Sequence, residues 1–160
     1  MSLSHVDRSG RARMVDIGAK PPSVRTALAA GVIRMAPAAL DLVEEDSGPK
    51  GHVLATAELA GVTAAKRTGE LIPLCHPLPL DYVRVSAVAD RGLTGVRVEA
   101  EVKAEGKTGV EMEALTAVAA ALLTVYDMVK AAGHTMEIGD IRLLEKTGGT
   151  SGDWRRQPET

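Results

Sequence analysis

From Val96 to Lys103 apolar and charged residues alternate without a break, Val96, Val98, Ala100 and Val102 against Arg97, Glu99, Glu101 and Lys103. A period of two predicts a strand with one buried and one wet face. Tyr82, Val83, Val85, Ala87, Val88 and Ala89 supply its hairpin mate, joined through the turn Asp90-Arg91-Gly92. Upstream, Ser23 to Met35 has the Val and Ile content of a strand, although its alanines leave a helix open. Pro37 suits the first turn of a helix running through Glu45, which Asp46-Ser47-Gly48-Pro49 breaks. A second helix is predicted from His52 to Arg67, apolar at Val53, Leu54, Ala57, Ala60 and Ala64.

Leu71 to Leu80 contains Pro73, Pro77 and Pro79, and each proline removes a backbone donor, so this stretch reads as a rigid connector. Thr108 to Ala132 gives the longest helix, opened by Gly106-Lys107-Thr108-Gly109 and closed by Gly133. Ile138, Ile141, Leu143 and Leu144 make the last strand. Strand, helix pair, strand, strand, helix, strand is a split βαβ order, so the expected fold is α+β and ferredoxin-like (βαββαβ), an antiparallel sheet with helices packed on one face. The long helix is apolar or small around nearly its whole circumference from Ala114 to Val125, which calls for a partner helix from another subunit and an oligomer.

Composition narrows the class. With 160 residues, 45% hydrophobic and 25% charged, the chain fits one domain, 1–160, with flexible tails at about 1–13 and 147–160. One cysteine and no Cys/His zinc spacing suit a reducing, cytoplasmic setting. A net charge of -2 and the absence of Phe argue against a nucleic-acid polymer as partner, since neither a basic footprint nor stacking platforms are present. Met1 to Gly10 carries no apolar signal region, and the longest near-apolar run, Ala114 to Tyr126, is shorter than the roughly 20 residues that span a bilayer. Neither a membrane anchor nor a signal peptide is therefore expected.

Several clusters could carry chemistry. Gly106-Lys107-Thr108 resembles a P-loop ending, but Glu101 stands where that motif needs its first glycine. What remains is a glycine-bordered helix start that could hold an anion or simply turn the chain. Glu111 and Glu113 complement the positive end of the helix dipole. Glu113, Ala117, Ala120, Thr124 and Asp127 share a narrow arc at about 100° per residue, a groove of small side chains between two acids that suits either a ligand or a close-packed helix. Asp127 near a helix C-terminus opposes the dipole, which suggests a use for it, and Lys130 three residues on can compensate it and donate to phosphate. Cys75 and His76, between Pro73 and Pro77, have stiff backbones. His76 can bond a purine or pterin edge or move a proton. Cys75 reads better as a small buried hydrophobe than as a nucleophile. Lys50, on the Gly48-Pro49-Lys50-Gly51 loop, and Lys146 before the Gly-rich segment read singly as surface lysines.

Together Met14-Val15-Asp16, Pro49-Lys50-Gly51, Ala65-Lys66-Arg67-Thr68, the run Leu71 to Leu78, the run Gly106 to Ala117, Tyr126-Asp127-Met128 and Lys146-Thr147-Gly148-Gly149 resemble the MoaC family, the cyclic pyranopterin monophosphate synthases of molybdenum cofactor biosynthesis. The resemblance implies a homohexamer built as a trimer of dimers, and the 14 residues between Glu113 and Asp127, about 21 Å along one helix, call for sites shared across the dimer. It implies a lyase that converts a small molecule, 3',8-cyclo-7,8-dihydro-GTP, to cyclic pyranopterin monophosphate with release of pyrophosphate. By motif position Asp127 is the expected active-site acid/base, with Lys50, Lys130 and His76 also catalytic. Leu74, Cys75, His76, Glu111, Met112 and Glu113 are the expected substrate contacts. No redox cofactor is required, and the protein site is expected to be metal-free. The alternative is a non-catalytic nucleotide-binding ferredoxin-like module.

Overall fold

The computed structural model describes residues 6, 9–46 and 48–157. Five strands form one antiparallel sheet in the order β2-β3-β1-β4-β5. They are β1 (Ser23–Arg34), β2 (Tyr82–Asp90), β3 (Gly95–Gly106), β4 (Glu137–Thr147) and β5 (Trp154–Arg155). Without β5 this is the ferredoxin-like order the sequence predicts. The alternation on β3 is realised in full: Val96, Val98, Ala100, Val102 and Ala104 are buried, and they pair in register with Ile33, Gly31, Ala29, Ala27 and Arg25 of β1. The alanine-rich segment Ser23–Arg34 is thus a strand, settled by a central place in the sheet that buries Ala27, Ala29 and Ile33. Within β4 the pairing with β1 shifts twice, and at the second shift Asp140 adopts a φ of 54°, as extra residues in a bulged strand do.

Helices α1 (Pro37–Glu44), α2 (Val53–Lys66), α3 (Thr68–Leu71) and α4 (Glu111–Val129) complete the domain. The short turn α3 lies just ahead of the proline-rich connector, which has no regular element from Ile72 to Asp81. Of the expected tail 147–160, residues 158–160 lie outside the described residues and residues 147–157 depart from that reading: Thr147 ends β4, and Trp154 and Arg155 pair with Lys146 and Glu145. Its Gly148-Gly149 turn reverses the chain, with φ values of 86° and 81°. At the other end Val6 and Ala12 form an isolated bridge, and residues 1–5, 7 and 8 lie outside the described residues.

α2 and α4 pack side by side on one face of the sheet, α4 over β1, β3 and β4 and α2 over β2. Ala114, Ala117, Val118, Ala121, Leu122, Val125 and Val129 are all fully buried, and each Val or Leu so placed contributes about 1.5–3 kcal/mol. The stretch Glu111–Ala132 has the length and apolarity of a membrane span, yet half of it is buried inside this fold. Its predicted partner helix is found in part within the same chain. A Cβ on Gly61 of α2 would stand 3.0 Å from the Ala117 carbonyl oxygen and from Val85, so the absence of a side chain there lets the two helices touch. The small-residue arc Glu113-Ala117-Ala120-Thr124-Asp127 is therefore covered by α2 at Ala117, the close-packed helix of the two readings its sequence leaves open. What stays uncovered on α4 is a neighbouring stripe. It carries Met112, Leu123, Asp127 and Lys130, all exposed, with Thr116 and Ala119 half-buried between them.

Replacement of Gly61 by leucine forces several carbons into this contact and is expected to lower stability by about 1–3 kcal/mol in chemical denaturation. An unchanged midpoint would mean that α2 and α4 are not held together at this point.

Candidate functional site

One cleft of about 360 Å³ is lined by Val15, Ile17 and Lys20, by Leu74, Cys75, His76 and Leu78, and by Thr108, Gly109, Glu111, Met112 and Glu113. It brings the proline-braced connector against the first turn of α4, two segments far apart in the chain. All six expected substrate contacts therefore lie together. The prolines explain the connector's part, because a backbone already stiff in the unfolded chain loses less entropy when it aims three side chains at one place. The α4 side depends on Gly109: a Cβ there would fall 1.9 Å from Glu111 Oε2, so only glycine lets that carboxylate fold back.

The two glutamates at this end are set apart by their surroundings. Glu111 is half-buried and pairs with Lys146 of β4 at 3.0 Å. Glu113 is 4% exposed. Burial, and after it the neighbouring Glu111 carboxylate, pushes Glu113 above the usual carboxylate range, while its own backbone N–H holds it partly down. Burial first and the Glu113 charge second likewise push the Cys75 thiol up. A thiol held protonated is a poor nucleophile, so Cys75 serves as a wall of the cleft.

A second cluster stands at the other end of α4. Lys50 Nζ donates to Asp127 Oδ2 at 2.6 Å and to the Asp127 carbonyl oxygen at 3.2 Å. Lys130 Nζ is 2.8 Å from Asp127 Oδ1. Lys130 first and Lys50 second hold the exposed Asp127 carboxyl down at about 2, and the same contact raises Lys130. An acid whose folded pKa lies below its unfolded one favours the fold at pH above the ordinary carboxylate range and loses that effect as pH falls through about 2. At neutral pH the cluster is two ammonium groups around one carboxylate, with a net charge of +1.

The structure thus divides the expected residues in two. Leu74, Cys75, His76, Glu111, Met112 and Glu113 share the cleft, whereas Lys50, Asp127 and Lys130 sit together elsewhere. Glu113 and Asp127 are 14 residues apart on one helix, about 21 Å at 1.5 Å per residue. Sequence reasoning misses Lys20 and Ile17 in the cleft and the pairing of Glu111 with Lys146. The Met14-Val15-Asp16 and Lys146-Thr147-Gly148-Gly149 motifs are the signals that point nearest to them. Lys107 Nζ donates to the Gly18 carbonyl oxygen at 2.6 Å, and Asp16 accepts from the Gly18 amide at 2.8 Å, so the N-terminal segment is fastened over the start of α4. Among the described residues no three of His, Cys, Asp and Glu converge where they could hold a metal ion.

The model of the MoaC family matches residues 14–149, which contain both clusters. A protein named cyclic pyranopterin monophosphate synthase from Methylobacterium nodulans is 59% identical over 157 residues, covering 98% of both chains. Another of that name from Brucella ovis is 54% identical over 152 residues, 95% of this chain and 92% of its own.

The charges at the far cluster predict an ordered result in NMR titration of the Asp127 carboxyl. Lys130→Met should raise its midpoint from about 2 more than Lys50→Met does, and the double variant should return it to near 3.9, the ordinary value for aspartate. An unmoved midpoint in Lys130→Met would show that the pair does not form in solution.

Proposed function

The chain belongs to the MoaC family, and from that premise we propose that it is a cyclic pyranopterin monophosphate synthase of molybdenum cofactor biosynthesis. As such it is a lyase acting on a small cyclised dihydro-GTP and releasing pyrophosphate. The observation that carries the reading is Asp127 held between Lys50 and Lys130. Closing a cyclic phosphate while pyrophosphate departs needs a concentration of positive charge on the phosphate oxygens, and two ammonium groups fixed on one carboxylate supply it. The cleft supplies the complementary part. It offers a pterin-sized space with His76, Glu111 and Glu113 for hydrogen bonds and proton transfers on ring nitrogen and oxygen, and Leu74 and Met112 for apolar contact.

Bound as it is, Asp127 is a weak base. Triphosphate oxygens that draw Lys130 and Lys50 away would remove the two largest causes of its low pKa, and the carboxyl would then titrate nearer the range where it can exchange a proton. Substrate binding in this scheme activates Asp127, which suits the acid/base role that family membership suggests.

One chain separates cleft and lysine pair by about 21 Å along α4, more than the reacting end of one nucleotide reaches. A complete site assembled from two subunits removes the difficulty. The uncovered stripe of α4 supports this: Met112 lies at one end and Asp127 and Lys130 at the other, with Thr116, Ala119 and the 61% exposed Leu123 between. Antiparallel packing on that stripe across a two-fold axis sets the start of one helix beside the end of its mate. The hexamer of three such dimers belongs to the same proposal.

Incubation with the cyclised dihydro-GTP should release pyrophosphate, and a nucleotide-binding module would bind without turnover. Lys50→Ala and Lys130→Ala should lose most of that turnover while changing stability by less than about 0.5 kcal/mol, as exposed truncations do. Parallel losses of melting temperature and activity would make the lysines structural.

Mixed oligomers test the shared site. Subunits carrying Glu113→Ala and subunits carrying Asp127→Ala should each be inactive alone. After exchange, one site of each mixed dimer inherits both defects and the other neither, so activity should return at up to roughly half the sites in those dimers. Confirmed exchange without recovery would place both acids in the service of one chain.

A further inference from the structure

Lys130 and Lys50 reach Asp127 by different means. Lys130 follows it by three residues and immediately succeeds α4, so the geometry of that pair is set by the helix itself. Lys50 is 77 residues away, on the loop joining α1 to α2, and its ammonium is placed only as well as that loop is closed. Gly51 at φ +81° and its amide bond to the Gly48 carbonyl oxygen at 3.1 Å make the turn that presents Lys50. That turn does not fix where the loop stands against α4.

The flanks of the loop are tied to one another. On the α1 side the Glu45 amide closes the helix by donating to the Asp41 carbonyl oxygen at 2.9 Å, and Asp46 follows in the left-handed region at φ 53°. Aspartate is one of the few residues with a side chain to tolerate that conformation. On the α2 side His52 is the N-cap, and its carbonyl oxygen accepts from the Thr56 amide at 3.1 Å and the Thr56 hydroxyl at 2.6 Å. The backbone of His52 is thereby joined to α2. Its imidazole makes no capping bond; instead His52 Nδ1 meets Asp46 Oδ2.

We propose that the contact between His52 Nδ1 and Asp46 Oδ2 is a clasp across the base of the α1–α2 loop, and that these two residues are positioning residues which hold Lys50 against Asp127. The proposal rests on the functional reading above for its bearing on catalysis. Both side chains are exposed, so the clasp acts on the geometry of the loop and hardly on the stability of the fold. It also acts on one arm of the lysine pair, because Lys130 does not depend on the loop.

The experiment uses the full chain with His52→Ala, Asp46→Ala, and the exchanged double variant Asp46→His with His52→Asp, which reverses the pair. Aspartate is a favoured N-cap and histidine is among the side chains seen in the left-handed region, so the exchange is compatible with both positions. Three quantities are read: the carboxyl carbon NMR shift of Asp127 at neutral pH, kcat/KM for the cyclised dihydro-GTP, and Tm. Each single variant should move the Asp127 shift toward the value found in Lys50→Met. Each should also lower kcat/KM three- to fivefold with Tm unchanged, the range open to an exposed polar pair. The exchanged variant should return the shift to that of the parent and kcat/KM to within twofold of it, as a coupled pair does.

An unmoved Asp127 shift in His52→Ala, or an exchanged variant no better than the single ones, overturns the clasp. A moved shift with unchanged kcat/KM overturns its role in positioning for the reaction. Absence of turnover in the parent protein, with the changes in shift intact, overturns the functional reading and leaves the clasp standing.

Discussion

Everything at the candidate site depends on the burial of α4 against the sheet on one side and α2 on another. Glu111, Met112 and Glu113 lie at its start and Asp127 near its end, with Lys130 in the next turn, so whatever fixes the helix fixes both clusters at once. The core that holds it is built almost wholly of Ala and Val, with Ile33, Leu40 and Leu122 as its largest fully buried side chains. The chain has no Phe. Small side chains bring backbones close, as the contact of Gly61 with Ala117 does for α2 and α4. Such a core is stiff because close-packed interiors have no slack in which a helix could slide. Rigid elements hold functional groups better than loops do, and here two of the three contributors to the far cluster come from one helix end.

The two ends of α4 treat the same chemical group in opposite ways. Glu113 is buried beside a like charge, and both conditions raise its pKa. Asp127 is exposed between two ammonium groups, and both lower it. One end of the helix thus favours the protonated form of its carboxyl and the other the ionised form. The helix dipole does not set this order, because it would favour a charge on Glu113 and disfavour one on Asp127. Desolvation and direct ion pairing are larger than the dipole at these positions, and they decide.

Loops complete what the helix begins. Lys107 fastens the N-terminal segment beside the start of α4 by its bond to the Gly18 carbonyl oxygen, and the α1–α2 loop carries Lys50 to Asp127. The bonds of Lys107 and Lys50 each join an ammonium to a group far away in sequence. Their partners are therefore fixed by how the elements pack, and no local pattern contains them.

The sequence alone is enough for the elements that have a period and for the stops between them. The alternation of β3, the Asp90-Arg91-Gly92 turn, the three prolines of the connector and the glycines around α4 each impose a local steric or solvation preference, and the order of elements then leaves few sheet topologies. The motif-bearing residues Leu74 to His76 and Glu111 to Glu113 are likewise legible in the sequence, since their stiffness and charge are local properties. Tertiary structure decided the rest. Alanines at Ser23–Arg34 permit helix or strand, and a central place in the sheet made them a strand. A Gly- and Ser-rich segment reads as a tail, yet Trp154 and Arg155 found the open edge of β4. The small-residue arc of α4 suits a ligand or a packed helix equally until α2 is seen to lie on Ala117. The grouping of Lys50 with Asp127, the burial of Glu113 and the part played by Lys20 and Ile17 were decided there too. Proximity and desolvation belong to the packed chain, and a one-dimensional pattern holds no distance between residues 50 and 127.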